Sequence, residues 1–441
     1  MVIKLRVDKR LRIVAAALVT LLVAALMLAL RQGLDEPVRV RLVLVGDASR
    51  SITIVWETRS PDSGDLVLYD AASRSGELGA YRYRAQGRHY PRPGAPGYIH
   101  VVRLEGLSPN TTYYFVCGGD GGWSRELAFK TAPSARSHVR FVVGGDCRTN
   151  RAARDAVSQA MARFNPDFVV LTGDLVEDGG SPAQWEDFFE HVSKYWVRGD
   201  GLLIPVVPCI GNHDKDRLGW EHFLKLFGLP TGGGWFYVNW GEVHIVILNS
   251  EASSSLLKLQ RSWLEEDLVA HAGYRWKIVV FHRNVLPSRH AAFKPAFELG
   301  WIKVISEHGV DLVFNGHTHL YLRSKPLRWS GSNFTAGDER VKGTIYVITG
   351  GWGAPLYEHP YPHAWWVASY EKVHHFVLVD VYPNGTLHLQ AKDFNGVTFD
   401  EAWITKPLTL PMRQQPSLTT SLFLRALIKP LPTRKSPSAY G

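Results

Sequence analysis

The chain is 441 residues long, 45% hydrophobic and 12% aromatic, which excludes a disordered protein and leaves room for more than one domain. Its net charge of +9 belongs to the two ends: residues 1–12 carry five basic groups against Asp8, residues 413–441 carry five with no acid, and the body between is balanced. A nucleic-acid binder needs that charge on a folded face, so no nucleic-acid partner is expected.

The first element is an uncharged apolar run from Ile13 to Leu30, preceded by Lys4, Arg6, Lys9, Arg10 and Arg12. Its length and basic flank predict an N-terminal membrane helix over residues 1–36, either a transmembrane anchor or a signal peptide. By the positive-inside rule everything after it is extracytoplasmic. The protein is then membrane-anchored, with lipid as a partner, or secreted if the segment is cleaved.

Residues 37–133 change to short alternating strands, among them "VRVRLVLVG", "SITIVWET", "DLVLYD", "YIHVVRLEGL", "TTYYFVCGG" and "ELAFKT", separated by Gly, Pro, Asp and Ser turns. This spacing predicts a separate all-β sandwich. No sequence cluster of His, Cys and carboxylates marks it as catalytic, and "TAPSARSH" reads as the linker that follows. Cys117, Cys147 and Cys209 are too few and too odd for a disulfide framework. They read as small buried hydrophobes, with one Cys147–Cys209 bridge as the other option. Asn110, Asn333 and Asn384 open glycosylation sequons.

Over residues 139–403, apolar runs alternate with amphipathic stretches such as "RAARDAVSQAMARF", the pattern of an α/β domain with strands buried on both faces. The basic tail, 404–441, carries Leu424, Leu427, Ile428 and Leu431 at helical spacing. It reads as a helix on a membrane, a docking helix, or a disordered end around Pro430 and Pro432.

The strand runs of the α/β region share one property at their ends. "FVVGGD" ends in Asp146, "FVVLTGD" in Asp174, "LIPVVPCIGNHD" in Asn212, His213 and Asp214, "KIVVFH" in His282, and "DLVFNGHTH" in His317 and His319. Carboxyl ends of such strands border the ligand crevice, so these groups are expected to converge. Singly, each has an ordinary structural role: a helix cap, a turn residue, a satisfied buried histidine. Together, two carboxylates, an amide oxygen and three imidazoles are too many for one tetrahedral zinc and suit two ions of higher coordination number.

In their order, these motifs resemble the calcineurin-like metallophosphoesterase superfamily, and most of all the purple acid phosphatases. The stretches "LEGLSPNTTYYF", "FKTAP", "VHIVILNS" and "LQRSWLEEDL" add to the likeness, which runs from Val38 to about Val381. The resemblance implies a fibronectin-III-like sandwich followed by a metallophosphoesterase domain built as a β-sandwich flanked by helices. It further implies two divalent or mixed-valence ions, of Fe, Mn or Zn, with Asp174 bridging, Asp146 and His319 on the first, and Asn212, His282 and His317 on the second. His213 faces the leaving group as general acid, with Asp214 or another carboxylate favouring its protonated form, and His290 is near a phosphate-contacting position. Two departures stand out. Glu177 replaces the tyrosine three residues after the bridging aspartate, and either ligates the first metal or hydrogen-bonds His213. Arg148 stands where many relatives place a metal-binding histidine. A guanidinium offers donors only, so it either clamps the substrate's phosphoryl oxygens or pairs with Glu177.

The expected function is therefore hydrolysis of phosphomonoesters by a metal-activated water. A phosphodiesterase acting on nucleotides or lipid head groups is the alternative on the same fold, and a non-catalytic surface-binding protein the alternative of another class.

Overall fold

The structure, a computed structural model, describes residues 16–23, 35–61, 64–217, 219–230, 232–337 and 343–408. Of the expected membrane segment it describes a helix over 16–23, all of it exposed, and the last two residues, 35 and 36; the remainder lies outside the described residues. No helix among the described residues is long and apolar enough to cross a membrane, so neither the spanning helix nor a lipid contact through it gains support. The C-terminal tail beyond residue 408 also lies outside them.

Two large sheets carry the fold. The first has ten strands in the order Thr398–Thr405, Thr386–Asp393, His375–Val381, Val139–Gly144, Phe168–Leu171, Val206–Pro208, Val38–Val43, Ile52–Thr58, Tyr98–Leu104 and Arg88–Pro91. The second has eight, with Val243–Ile247, Trp276–Val280, Leu312–Asn315 and Ile345–Thr349 parallel neighbours at its centre. Parallel strands covered on both faces need unbroken apolar runs. Phe168–Leu171 meets that need with every residue buried, and Val243–Ile247 and Leu312–Asn315 are fully buried with one polar residue each, His244 and Asn315.

The N-terminal β domain is present, and one of its sheets is not its own. Val43 pairs in parallel with Val206, and Leu44 N donates to the Val206 carbonyl at 2.9 Å. Four strands from the first 104 residues thereby extend the sheet that carries Phe168–Leu171, while Leu127–Lys130, Thr112–Gly119, Leu66–Asp70 and Tyr83–Gln86 form the opposing sheet. The helix Pro182–Tyr195 seals the join. It starts with proline in its first turn, where the missing N–H costs nothing, and buries Trp185, Phe188, Phe189 and Val192 at helical spacing. Each such burial is worth roughly 1.5–3 kcal/mol. The strand Thr398–Thr405 runs past residue 403, and the Lys406 ammonium reaches the buried Asp311 carboxylate at 2.6 Å.

Cys117, Cys147 and Cys209 are all free and buried, which rules out the Cys147–Cys209 bridge in this structure. Asn110, Asn333 and Asn384 are all exposed.

Candidate metal centre

The motif residues converge where the two sheets face each other, not along the edge of one. Val139–Gly144, Phe168–Leu171 and Val206–Pro208 deliver Asp146, Asp174 and Asn212 from the first sheet; Trp276–Val280 and Leu312–Asn315 deliver His282, His317 and His319 from the second. Asp146, Asp174 and His317 adopt positive φ angles of 57°, 54° and 67°. A non-glycine residue there costs on the order of 1–3 kcal/mol, a strain that concentrates at functional sites. Hydrogen bonds hold these turns. Asp146 N donates to the Gly173 carbonyl at 2.8 Å, and His317 N to Asp146 Oδ2 at 2.9 Å. Gly211 and Gly316 allow the close approach: a Cβ on them would lie 2.2 Å from Asp174 Oδ1 and 2.6 Å from Asp146 Oδ2.

Backbone carbonyls aim three imidazoles through Nδ1. His282 Nδ1 meets the Thr172 carbonyl at 2.9 Å, His319 Nδ1 the Pro355 carbonyl at 2.8 Å, and His213 Nδ1 the Glu177 carbonyl at 2.8 Å. With Nδ1–H so committed, the Nε2 atoms of His282 and His319 turn inward as lone pairs, while that of His213 is the position that carries the second proton of an imidazolium. His282 Nε2 then lies 3.2 Å from Asn212 Oδ1 and 3.3 Å from Asp174 Oδ1. His319 Nε2 lies 3.4 Å from Asp146 Oδ1, a buried oxygen with no hydrogen-bond partner. Lone pairs facing lone pairs in a buried site repel unless a cation lies between them. The protein's own charges show the same demand. Burial opposes a proton on His282, yet the Asp174 carboxylate beside it raises its pKa to about 10. Burial, and then the His282 charge, push His317 well below the usual imidazole range. Asp174 is pushed up by burial, but His282 more than offsets this and holds it below the ordinary carboxylate range. The donor set of oxygen and imidazole nitrogen fits transition ions, and Asp174, His282 and His317 bring ligand atoms within 4.8 Å of one another.

His213 lies at the mouth, its Nε2 4.0 Å from Asp174 Oδ2 and its Nδ1 3.7 Å from Glu177 Oε1. His290 packs against His317 with ring centroids 4.4 Å apart and planes tilted by 32°. Arg148 donates through Nη1 to the Glu177 carboxylate, and its Nη2 is 3.5 Å from His319 Nε2. Asp214 differs from expectation. Its carboxylate is buried and turned away from the His213 ring, accepting from the backbone N–H groups of Asp174, Leu175, Val176 and Gly211 at 2.7–3.3 Å. Burial, then the Asp174 charge, raise its pKa. It fastens the "GD" turn to the "GNHD" turn and does not act on His213 directly.

Three neighbours escaped the sequence reading. Arg283 follows His282, forks onto the buried Glu251 carboxylate at 2.7 and 2.9 Å, and brings Nη1 to 3.3 Å from His317 Nε2. Tyr357 stacks on His319, with centroids 4.4 Å apart and planes 17° apart. Arg283 had a signal in its position beside a candidate ligand; Glu251 and Tyr357 are brought in from loops with none.

Comparison with known proteins agrees with this geometry. The calcineurin-like phosphoesterase family matches residues 139–321, and the N-terminal domain of purple acid phosphatases matches residues 37–131. Acid phosphatase type 7 of Mus musculus is 26% identical over 86% of this chain and 94% of its own length. Probable purple acid phosphatase 20 of Arabidopsis thaliana is 27% identical over 65% of this chain and 69% of its own. Among solved structures, purple acid phosphatase PPD1 from yellow lupin (Lupinus luteus) seeds superposes with a TM-score of 0.71 at 21% identity, covering 85% of this chain and 75% of that one. Over residues 139–321 the chain thus carries a calcineurin-like phosphoesterase domain, and ahead of it, over residues 37–131, the N-terminal domain of purple acid phosphatases.

Proposed function

We propose that the protein is a binuclear metal phosphoesterase that hydrolyses phosphomonoesters. The observation that carries this reading is the pair of inward Nε2 atoms, His282 toward Asp174 and Asn212, and His319 toward the unpartnered oxygen of Asp146. Asp146 and His319 would hold one ion, Asn212, His282 and His317 the other, and Asp174 would be shared by both. When bound, the ions supply the positive charge that acidifies a water and neutralises the phosphoryl oxygens.

The chain's own residues do the rest. His213, anchored through Nδ1 on the Glu177 carbonyl, turns Nε2 toward the site and delivers a proton to the leaving oxygen. Arg148 donates to the phosphoryl oxygens, and His290, packed at a tilt against His317, adds a donor. Iron, manganese and zinc all suit the donor set. With Glu177 in place of a tyrosine, no phenolate is present at that position to give an iron form its purple colour. The basic N-terminus and its apolar run support export of the catalytic part, held by an anchor or released.

The test is Asp174→Asn. The variant should lose bound metal and turnover together while its thermal unfolding with chelator present stays near that of the unaltered protein, because it removes the shared negative charge that offsets repulsion between two cations. Full metal content with an unchanged rate would sink the two-metal reading.

A further inference from the structure

The N-terminal β domain looks free of ligand clusters in sequence, but its strands assemble one. His89 and His100 are direct cross-strand partners on Arg88–Pro91 and Tyr98–Leu104. The Asp65 carboxylate lies against both, with Oδ1 2.6 Å from His100 Nδ1 and Oδ2 3.0 Å from His89 Nδ1. The three ligand atoms lie within 4.8 Å of one another.

The protons decide what this cluster is for. Thr58 Oγ1 donates to the Ser60 carbonyl at 2.7 Å, so its single proton is spent. At 2.6 Å from His100 Nε2 it must therefore accept, which puts the His100 proton on Nε2. His100 Nδ1 is then a lone pair aimed at a carboxylate oxygen, and only a second proton or a metal ion relieves that contact. The ring is held in this pose by stacking on Trp56, centroids 5.2 Å apart and planes 6° apart.

We propose that Asp65, His89 and His100 form a second transition-metal site on the N-terminal domain, separate from the centre between the sheets and suited to Zn²⁺ or another imidazole-preferring divalent ion. Two imidazoles, one carboxylate and an open fourth position make a zinc donor set, and the hydrogen bond from His100 Nε2 to Thr58 is the orienting contact that metal-binding histidines use. Entry is through His89, whose side chain is 36% exposed, past Asp65 at 15%. A Zn²⁺ about 2.0–2.1 Å from each ligand spreads them to roughly 3.3 Å, so Asp65 withdraws by less than about 1 Å. Among the described residues, the other such cluster outside the catalytic centre, His244, Asp267 and His271, is buried throughout, and both ring nitrogens of His244 already have partners, Asn239 and Asp267 at 2.7 Å each. It has no open side.

The experiment titrates the metal-free full chain with Zn²⁺ by calorimetry, alongside His89→Ala. The unaltered chain should bind one equivalent more than His89→Ala, or bind that equivalent at least tenfold more tightly. His89→Ala should keep its rate on an aryl phosphate, and Asp174→Asn should keep the extra equivalent. This separates the site from the catalytic ions, so failure of either reading leaves the other standing. Imidazole resonances of His89 and His100, followed in the unaltered protein, should shift with Zn²⁺ even if the variant folds poorly. Equal stoichiometry and affinity in both chains, or resonances that answer to pH and not to Zn²⁺, would show that a proton alone fills the site and overturn the proposal.

Discussion

Arg148 and Glu177 are ion-paired across the mouth of the centre, with the Arg148 Nε buried, unpartnered and 3.6 Å from Asp174 Oδ2. The Arg148 side chain is 11% exposed but Glu177 is 44% exposed, and a pair with one partner so open to water is worth only about 1 kcal/mol. Such a pair yields readily to a phosphate ester with more charge and more acceptor oxygens. Under the proposed function, salt bridge and phosphate clamp, which the sequence poses as alternatives, would be two positions of one guanidinium.

Arg148→Ala should therefore cut kcat/KM about tenfold or more, which corresponds to ~1.4 kcal/mol or above, while metal content stays unchanged. Inhibition by inorganic phosphate should weaken in parallel, and Glu177→Gln should have a smaller effect on both. The clamp role fails if Arg148→Ala sheds metal, or if phosphate inhibits it as before.

His213 is tested by the leaving group. Held by the Glu177 carbonyl, it presents one nitrogen to the site. His213→Ala should slow alkyl phosphates far more than nitrophenyl phosphate, because only a basic leaving oxygen needs a full proton. Equal losses on both substrates would remove His213 as the acid.

Asp214→Asn should act on the scaffold. An amide offers one acceptor oxygen where the carboxylate serves four N–H groups, and each buried donor left bare costs about 1–3 kcal/mol. The thermal midpoint should fall, and metal affinity with it, since the "GD" and "GNHD" turns come loose together. The ratio of rates on good and poor leaving groups should not change; a shift in that ratio would return Asp214 to the proton-transfer step.

Acid should weaken the fold through His375. This ring is buried against Thr349 and the Val373 carbonyl, and burial lowers its pKa to about 4. The unfolded chain, at about 6.5, takes up a proton that the folded chain refuses. The contribution is complete above about pH 6.5, is lost as pH falls toward 4, and amounts to roughly 3 kcal/mol. His375→Gln should flatten the fall of the thermal midpoint between pH 6.5 and 4, and an unchanged slope would show that other groups govern it.

By itself the sequence determined the order and chemistry of the centre. A ligand-type side chain at the end of each buried run, preceded by glycine in every run but that of His282, is a local pattern, because strand burial and sharp turns are local properties. The β-rich first domain was legible for the same reason. What only the tertiary structure decided lies between segments far apart in the chain. That Val43 pairs with Val206, welding the N-terminal domain onto the catalytic sheet, depends on which edges meet, and many apolar edges in this chain look alike. That Asp214 turns inward, away from the His213 ring, depends on four backbone groups offered by two separate turns. Arg283 and Tyr357 reach the centre, and Asp65 reaches His89 and His100, through strand register and loop return. Neither leaves a mark on local sequence, since contact over such separations is set by how the sheets pack.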